Sequence, residues 1–135
     1  MFVGTKWCGV GNIAEGDDDY GVHRQTDKCC RNHDLCPDII EAYQSKYNLT
    51  NPYFYSKLNC ACDKEFYKCL KSINTNSATQ VGHLYFTVLG TQCYANTYPV
   101  KECRKYTYFP KKKCIEYLLD DTQDQGYQWF DLPNF

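Results

Sequence analysis

Residues 29–36 read Cys29-Cys30-Arg31-Asn32-His33-Asp34-Leu35-Cys36. Three cysteines, a histidine and a carboxylate share eight residues. On a helix, at about 100° per residue, Cys29, His33 and Cys36 fall on one face. Cys30 and Asp34 share the adjacent one. The first face is stapled to a neighbour with a histidine in the seam. The second holds a carboxylate beside another staple.

Working outward, Thr26 or Asp27 can cap this helix by accepting from free backbone amides. Pro37 makes Cys36 its natural last residue, because a residue before proline avoids helical angles. A second helix fits 59–73, capped by Asn59, with Cys62, Phe66, Cys69, Leu70 and Ile73 on one apolar stripe. Lys64, Lys68 and Lys71 point away from it. Cys29 and Cys36 are seven residues apart, and so are Cys62 and Cys69. Seven residues is close to two helical turns, so each pair sits on one face. Two antiparallel helices can then be bridged 29–69 and 36–62, a ladder with two rungs and His33 between them.

A third helix fits 78–89. Ser77 to Gln80 has the capping-box pattern, and Gly90 is a natural stop. Residues 38–57 read as a surface connection without regular structure. Tyr106–Phe109 and Cys114–Leu119 read as a hairpin around Pro110-Lys111-Lys112-Lys113, tied by Cys103 to Cys114. The triple lysine reads as a solvated turn in preference to a contact for lipid phosphates. Tyr127–Leu132 is an aromatic run, either docked core or surface anchor. The expected class is mainly α and disulfide-rich. It comprises a disulfide-linked antiparallel helix pair, a metal-binding glycine loop, a third helix and a small C-terminal β-hairpin.

The chain has 135 residues, which suits one domain spanning 1–135. Its 10 cysteines argue for an oxidising, extracellular setting and five bridges. The net charge of −1 gives no field for nucleic acid. Its 13 tyrosines cannot all be buried and suit a surface that is half apolar and half wet. No stretch is long enough to span a bilayer. Met1-Phe2-Val3 leads almost directly into a Cys-Gly loop, so a secreted chain of this sequence is a mature form with Met1 an added residue. Asn48-Leu49-Thr50 is a glycosylation sequon, which fits the secretory route. A monomer is the default.

The chemistry centres on His33. Asp63 and Glu65 are the carboxylates opposite it, about 70° and about 90° from the centre of the second helix's stripe. Spacing leaves both open. A buried carboxylate accepting from one ring nitrogen leaves the other free as a base. No serine or free cysteine stands beside His33, so the base should activate water. The developing oxyanion then needs a counter-charge. Trp7-Cys8-Gly9-Val10-Gly11 can turn backbone carbonyls to one side, because glycine has no Cβ in the way. If Cys8 bridges Cys30, that loop lies over Asp34 and assembles oxygen ligands for calcium. The metal would act as a Lewis acid on a carbonyl. The acidic run Glu15–Asp19 lacks a regular calcium-loop spacing and reads as solvated. His23 and His83 have no evident partner.

Together these residues resemble secreted phospholipase A2 of the bee-venom type (group III). The likeness rests on Trp7–Gly11, on Asp27-Lys28-Cys29-Cys30-Arg31-Asn32-His33-Asp34-Leu35-Cys36-Pro37, on Leu58–Asp63 with Phe66–Leu70, on Tyr85-Phe86 and on Tyr127–Leu132. It implies calcium-dependent hydrolysis of the sn-2 ester of glycerophospholipids at a membrane surface. His33 is then the general base, Asp63 its partner, and Tyr85 a hydrogen-bond donor to Asp63. Asp34 and the carbonyls of Trp7, Gly9 and Gly11 are the implied calcium ligands, and the Gly9 amide helps hold the oxyanion. The implied bridges are Cys8–Cys30, Cys29–Cys69, Cys36–Cys62, Cys60–Cys93 and Cys103–Cys114. Asn12-Ile13-Ala14 lacks the sequon found near the family's calcium loop, and the chain is less basic, which shifts membrane docking toward aromatic and aliphatic contacts. A receptor ligand or toxin that acts without catalysis is the rival reading, but no catalytic position departs from the pattern. A purely structural cysteine-rich module leaves the glycine loop and His33 unexplained. A zinc site at His33 fails if the cysteines are bridged.

Overall fold

The computed structural model describes residues 2–9 and 11–135. Met1 and Val10, the fourth residue of the glycine loop, lie outside them. The first helix, α1, spans Arg24–Asp34. Neither Thr26 nor Asp27 caps it. His23 occupies the cap position without a side-chain bond, and both expected caps are buried inside the helix. The reason is competition for the Asp27 carboxylate. It accepts the backbone amides of Lys6, Trp7 and Gly21, each at 2.8 Å, and is spent on the preceding loop. At the other end the helix stops two residues short of Cys36. Leu35 takes the closing position, its N–H donating to the Arg31 carbonyl.

The second helix, α2, spans Cys60–Ile73. Asn59 caps it by accepting from the Ala61 amide, and Asn74 ends it in the left-handed region at φ 53°. Bridges Cys29–Cys69 and Cys36–Cys62 join the middle of α1 to late α2 and the chain just past the end of α1 to early α2, so the two helices run antiparallel. Phe66 and Leu70 are buried against this seam. The third helix, α3, spans Asn76–Gly82 and widens into a π-helical stretch, His83–Leu89. Its cap is Thr75, accepting from the Ala78 amide, rather than Ser77. The Ser77 hydroxyl instead meets Thr26 Oγ1 at 2.8 Å and fastens α3 to α1. Gly90 ends the π-helical stretch at φ 57°, where a side chain would be strained.

Residues 38–57 are more ordered than the sequence suggested. Together with Leu58 they form four two-residue strands: β1 (Ile39–Ile40), β2 (Ser45–Lys46), β3 (Leu49–Thr50) and β4 (Lys57–Leu58). β1 pairs with β4 and β2 with β3, both antiparallel. The organiser is Asn51. Its fully buried amide donates to the carbonyls of Ile40, Glu41 and Tyr55, and its oxygen accepts from the Tyr53 amide.

Four longer strands follow: β5 (Gln92–Thr97), β6 (Val100–Thr107), β7 (Lys113–Leu119) and β8 (Gly126–Asp131). β6 and β7 form the expected hairpin, crossed by Cys103–Cys114. β5 and β8 form a second antiparallel pair, with Tyr94 opposite Trp129. The aromatic run is therefore a docked strand, and Leu132 behind it is buried. Strands hold nearly as many residues as helices, more than the expected mainly α class. Lys113 departs from the solvated-turn reading. It is only 2% exposed, and its Nζ donates to the Phe86 carbonyl and to Asn134 Oδ1. Cys8–Cys30 and Cys60–Cys93 complete five bridges, and none of the described cysteines is free. No helix among the described residues is long and apolar enough to cross a membrane.

Candidate active site

The two rungs of the helix pair set His33 opposite Asp63. His33 Nε2 lies 2.6 Å from Asp63 Oδ1, in hydrogen-bond range. Asp63 is 0% exposed, so an ionised carboxylate there needs donors. Tyr85 supplies one, its hydroxyl donating to the same Oδ1 at 2.7 Å. Burial first, and the Asp63 charge second, push the Tyr85 hydroxyl well above its ordinary range, so it stays a donor. Asp63 Oδ2 is buried with no partner among the described residues. The imidazole stacks on Phe66 with centroids 4.2 Å apart and meets the Tyr85 ring edge-on at 4.9 Å. Phe66 and Tyr85 thus fix the ring plane. An N–H at Nε2, held by Asp63, leaves Nδ1 with a bare lone pair. Glu65, the other carboxylate that spacing left open, is exposed and makes no bond to His33.

The glycine loop reaches this pair through α1. Cys8–Cys30 draws it down, and Asp27 grips its backbone at Lys6 and Trp7. The Trp7 indole adds a bond to the Asp19 carbonyl at 2.9 Å. Gly9 and Gly11 take φ 142° and 73°, conformations that L side chains rarely adopt. The carbonyls alternate in use. Those of Lys6 and Cys8 accept the amides of Ile13 and Phe2. Those of Trp7, Gly9 and Gly11 accept no hydrogen bond from a described residue.

Asp34 shares a cleft with Trp7, Gly9, Gly11, His33 and Tyr85. Protein crowded around it strips part of its water, and with the charge of Asp27 this pushes its carboxyl up to about 7, although part of the side chain still faces solvent. A cation beside it would favour the ionised form. Among the described residues no group of three or more His, Cys, Asp or Glu could hold a metal. The oxygens near the Asp34 carboxylate that could join it on an ion are backbone carbonyls. One carboxylate plus spare carbonyls is an all-oxygen donor set, which suits a hard cation such as calcium.

The cleft holds about 1190 Å³ and is lined mostly by apolar side chains, among them Phe2, Phe54, Leu58, Leu84 and Leu89. The Phe54–Ser56 wall has a support that sequence reading missed. Lys57, 3% exposed, lies 4.1 Å from the Tyr53 ring centre and 5.2 Å from that of Trp129. Asp27 was missed too, because its residue type suggested a cap. Neither role is marked locally, since Trp129 for Lys57 and Lys6 and Trp7 for Asp27 lie twenty or more residues away.

The family model described as Phospholipase A2 matches residues 1–97. A phospholipase A2 of Xylocopa appendiculata circumvolans is 53% identical over 134 residues, covering 99% of this chain and 73% of the relative. One of Bombus pensylvanicus is 50% identical over 137 residues, covering 100% and 99%. One of Apis dorsata is 43% identical over 136 residues, again covering 100% and 99%. With the cleft and its histidine–carboxylate pair, these likenesses establish that the chain belongs to the phospholipase A2 family of enzymes.

Proposed function

We propose that this hydrolase is a secreted, calcium-dependent phospholipase A2. It cleaves the sn-2 ester of glycerophospholipids at membrane surfaces to a fatty acid and a lysophospholipid. The observation that carries the reading is the contact of His33 with the buried Asp63, at the wall of a largely apolar cleft of about 1190 Å³.

In this mechanism His33 Nδ1 takes a proton from a water as its oxygen bonds to the ester carbonyl carbon. Asp63 holds the tautomer and stabilises the imidazolium, and Tyr85 holds Asp63. When the tetrahedral intermediate collapses, the carbon–oxygen bond to glycerol breaks and the imidazolium returns the proton to that oxygen. The Gly9 amide helps hold the oxyanion. The carbonyls of Trp7, Gly9 and Gly11 and the carboxylate of Asp34 would hold calcium, which supplies Lewis acidity toward the ester carbonyl when bound. Asn48 is exposed at the turn between β2 and β3, where a glycan could be carried. The protein is read as a monomer that binds its membrane peripherally.

The test is fatty-acid release from phosphatidylcholine vesicles with calcium, with chelator, and by His33→Gln with calcium. Release is expected in the first condition alone. Equal release in all three would overturn the mechanism.

A further inference from the structure

The tip of the β6–β7 hairpin has no part in the cleft chemistry, yet its make-up is unlike that of a solvated turn. Between Cys103 and Cys114 the chain carries Arg104, Lys105, Lys111, Lys112 and Lys113 and no carboxylate. Five of the chain's 15 cations thus sit in one short stretch of a protein whose net charge is −1. Lys113 is turned inward, and the other four are exposed. Beside them Tyr108 is 70% and Phe109 84% exposed. Lys112 lies 4.5 Å from the Tyr106 ring centre.

The tip is also fastened to the cleft. Lys111 Nζ donates to the Leu89 carbonyl at 3.2 Å, and Lys113 Nζ to that of Phe86 at 2.6 Å. Asn134 Nδ2 donates to the Phe109 carbonyl, and Asn134 Oδ1 accepts from Lys113. Phe86 and Leu89 belong to the π-helical stretch that places Leu84, Tyr85 and Leu89 on the cleft. Leu84, Val88 and Leu89 on that stretch are themselves exposed. Tip and cleft mouth therefore form one connected apolar and basic surface.

We propose that the hairpin tip, through Tyr108 and Phe109 with Lys105, Lys111 and Lys112, docks on a phospholipid surface and holds the cleft mouth against it. This rests on the membrane-surface activity proposed above. Aromatic rings favour the boundary between headgroups and acyl chains, and the lysines match the phosphates in charge. A sulfated polysaccharide would satisfy the cations but leave the Phe109 ring without a contact, so the lipid surface is the occupant that uses both.

The experiment measures co-sedimentation with sucrose-loaded vesicles of phosphatidylcholine alone and of phosphatidylcholine with phosphatidylglycerol. A His33→Gln background prevents hydrolysis during binding. Tyr108→Ser/Phe109→Ser is expected to weaken partition about tenfold or more on both vesicles. Lys105→Gln/Lys112→Gln is expected to weaken it several-fold on the anionic vesicle only, with the difference vanishing at high salt. With His33 restored, both double variants should hydrolyse a monomeric short-chain phosphatidylcholine at the parent rate, which shows that fold and chemistry are intact. Unchanged partition of the aromatic variant would overturn the proposal. So would loss of binding to dextran sulfate with no loss on vesicles. If the parent chain cleaves no monomeric substrate while the tip variants still lose vesicle binding, the enzymatic reading fails and the docking surface stands.

Discussion

The Asp27 carboxylate accepts the backbone amide of Trp7 at 2.8 Å, across 20 residues of sequence. With the amides of Lys6 and Gly21 on the same side chain, one buried group sets the course of the whole glycine loop. Asp27→Ala leaves three amides without an acceptor. It should cost about 3 kcal/mol of stability or more, since hydrogen bonds to a charged group contribute about 1.5–3 kcal/mol each. Calcium affinity should fall with it. Denaturant unfolding and calcium titration check both, and a variant as stable as the parent would remove Asp27 from this role.

Substitutions in the histidine contact should be graded. His33→Gln removes the base and should lower hydrolysis by at least about a thousandfold with the fold intact. Asp63→Asn keeps the shape but offers the histidine a neutral acceptor, and a loss of about a hundredfold is expected. Tyr85→Phe leaves Asp63 without its second donor and should cost about 1 kcal/mol of stability with a smaller loss of rate. Initial rates on one vesicle preparation give the ranking. A Tyr85→Phe variant slower than Asp63→Asn would reverse the roles.

Asp34→Asn keeps an oxygen in place but removes the charge. Calorimetric titration should show calcium binding weakened by about tenfold or more, because a hard cation loses its one formal counter-charge there. Undiminished affinity would move the metal elsewhere.

The helix pair was legible because a disulfide ladder leaves a spacing signal. Cys29 and Cys36 are seven apart, as are Cys62 and Cys69, which lets both rungs close between two antiparallel segments, and His33 lies between rungs by the same arithmetic. Nothing comparable marks Asn51. Its order-making bonds go to carbonyls, which every residue has, so residues 38–57 looked featureless. Asp27 and Thr26 looked like caps because capping is the local option, and tertiary partners at Trp7 and Ser77 outbid it. Lys113 looked solvated because charge usually is. Its partners Phe86 and Asn134 lie more than twenty residues away on either side. Asp63 and Glu65 are both compatible with a helical repeat; spacing left them open, the family resemblance pointed to Asp63, and in the packing it is Asp63 that meets His33.

Lys57 offers a pH test. Burial chiefly, and the charge of Lys111 next, pull its ammonium below its ordinary value of 10.5, with Asp131 opposing. The folded chain therefore releases this proton at a lower pH than the unfolded chain. Between the two values unfolding takes up a proton, so stability from this group rises with pH as 10.5 is approached. The difference in unfolding free energy between the parent and Lys57→Met should accordingly grow in the parent's favour from pH 7 to pH 10. The fully paired cysteines make the comparison free of thiol exchange. A difference independent of pH would show that Lys57 is not strained by burial.

His33 and Asp63 are 30 residues apart along the chain. Counted along covalent bonds they are much closer: three residues from His33 to Cys36, one bridge, and one residue from Cys62 to Asp63. A contact that looks long-range in sequence is thus a local one in the oxidised chain. Its two partners never drift far apart, even when everything around them has melted, because the closure entropy of the long loop has already been spent in forming the bridge. Recovery after heating becomes a short reorientation of two neighbours rather than a search by two strangers.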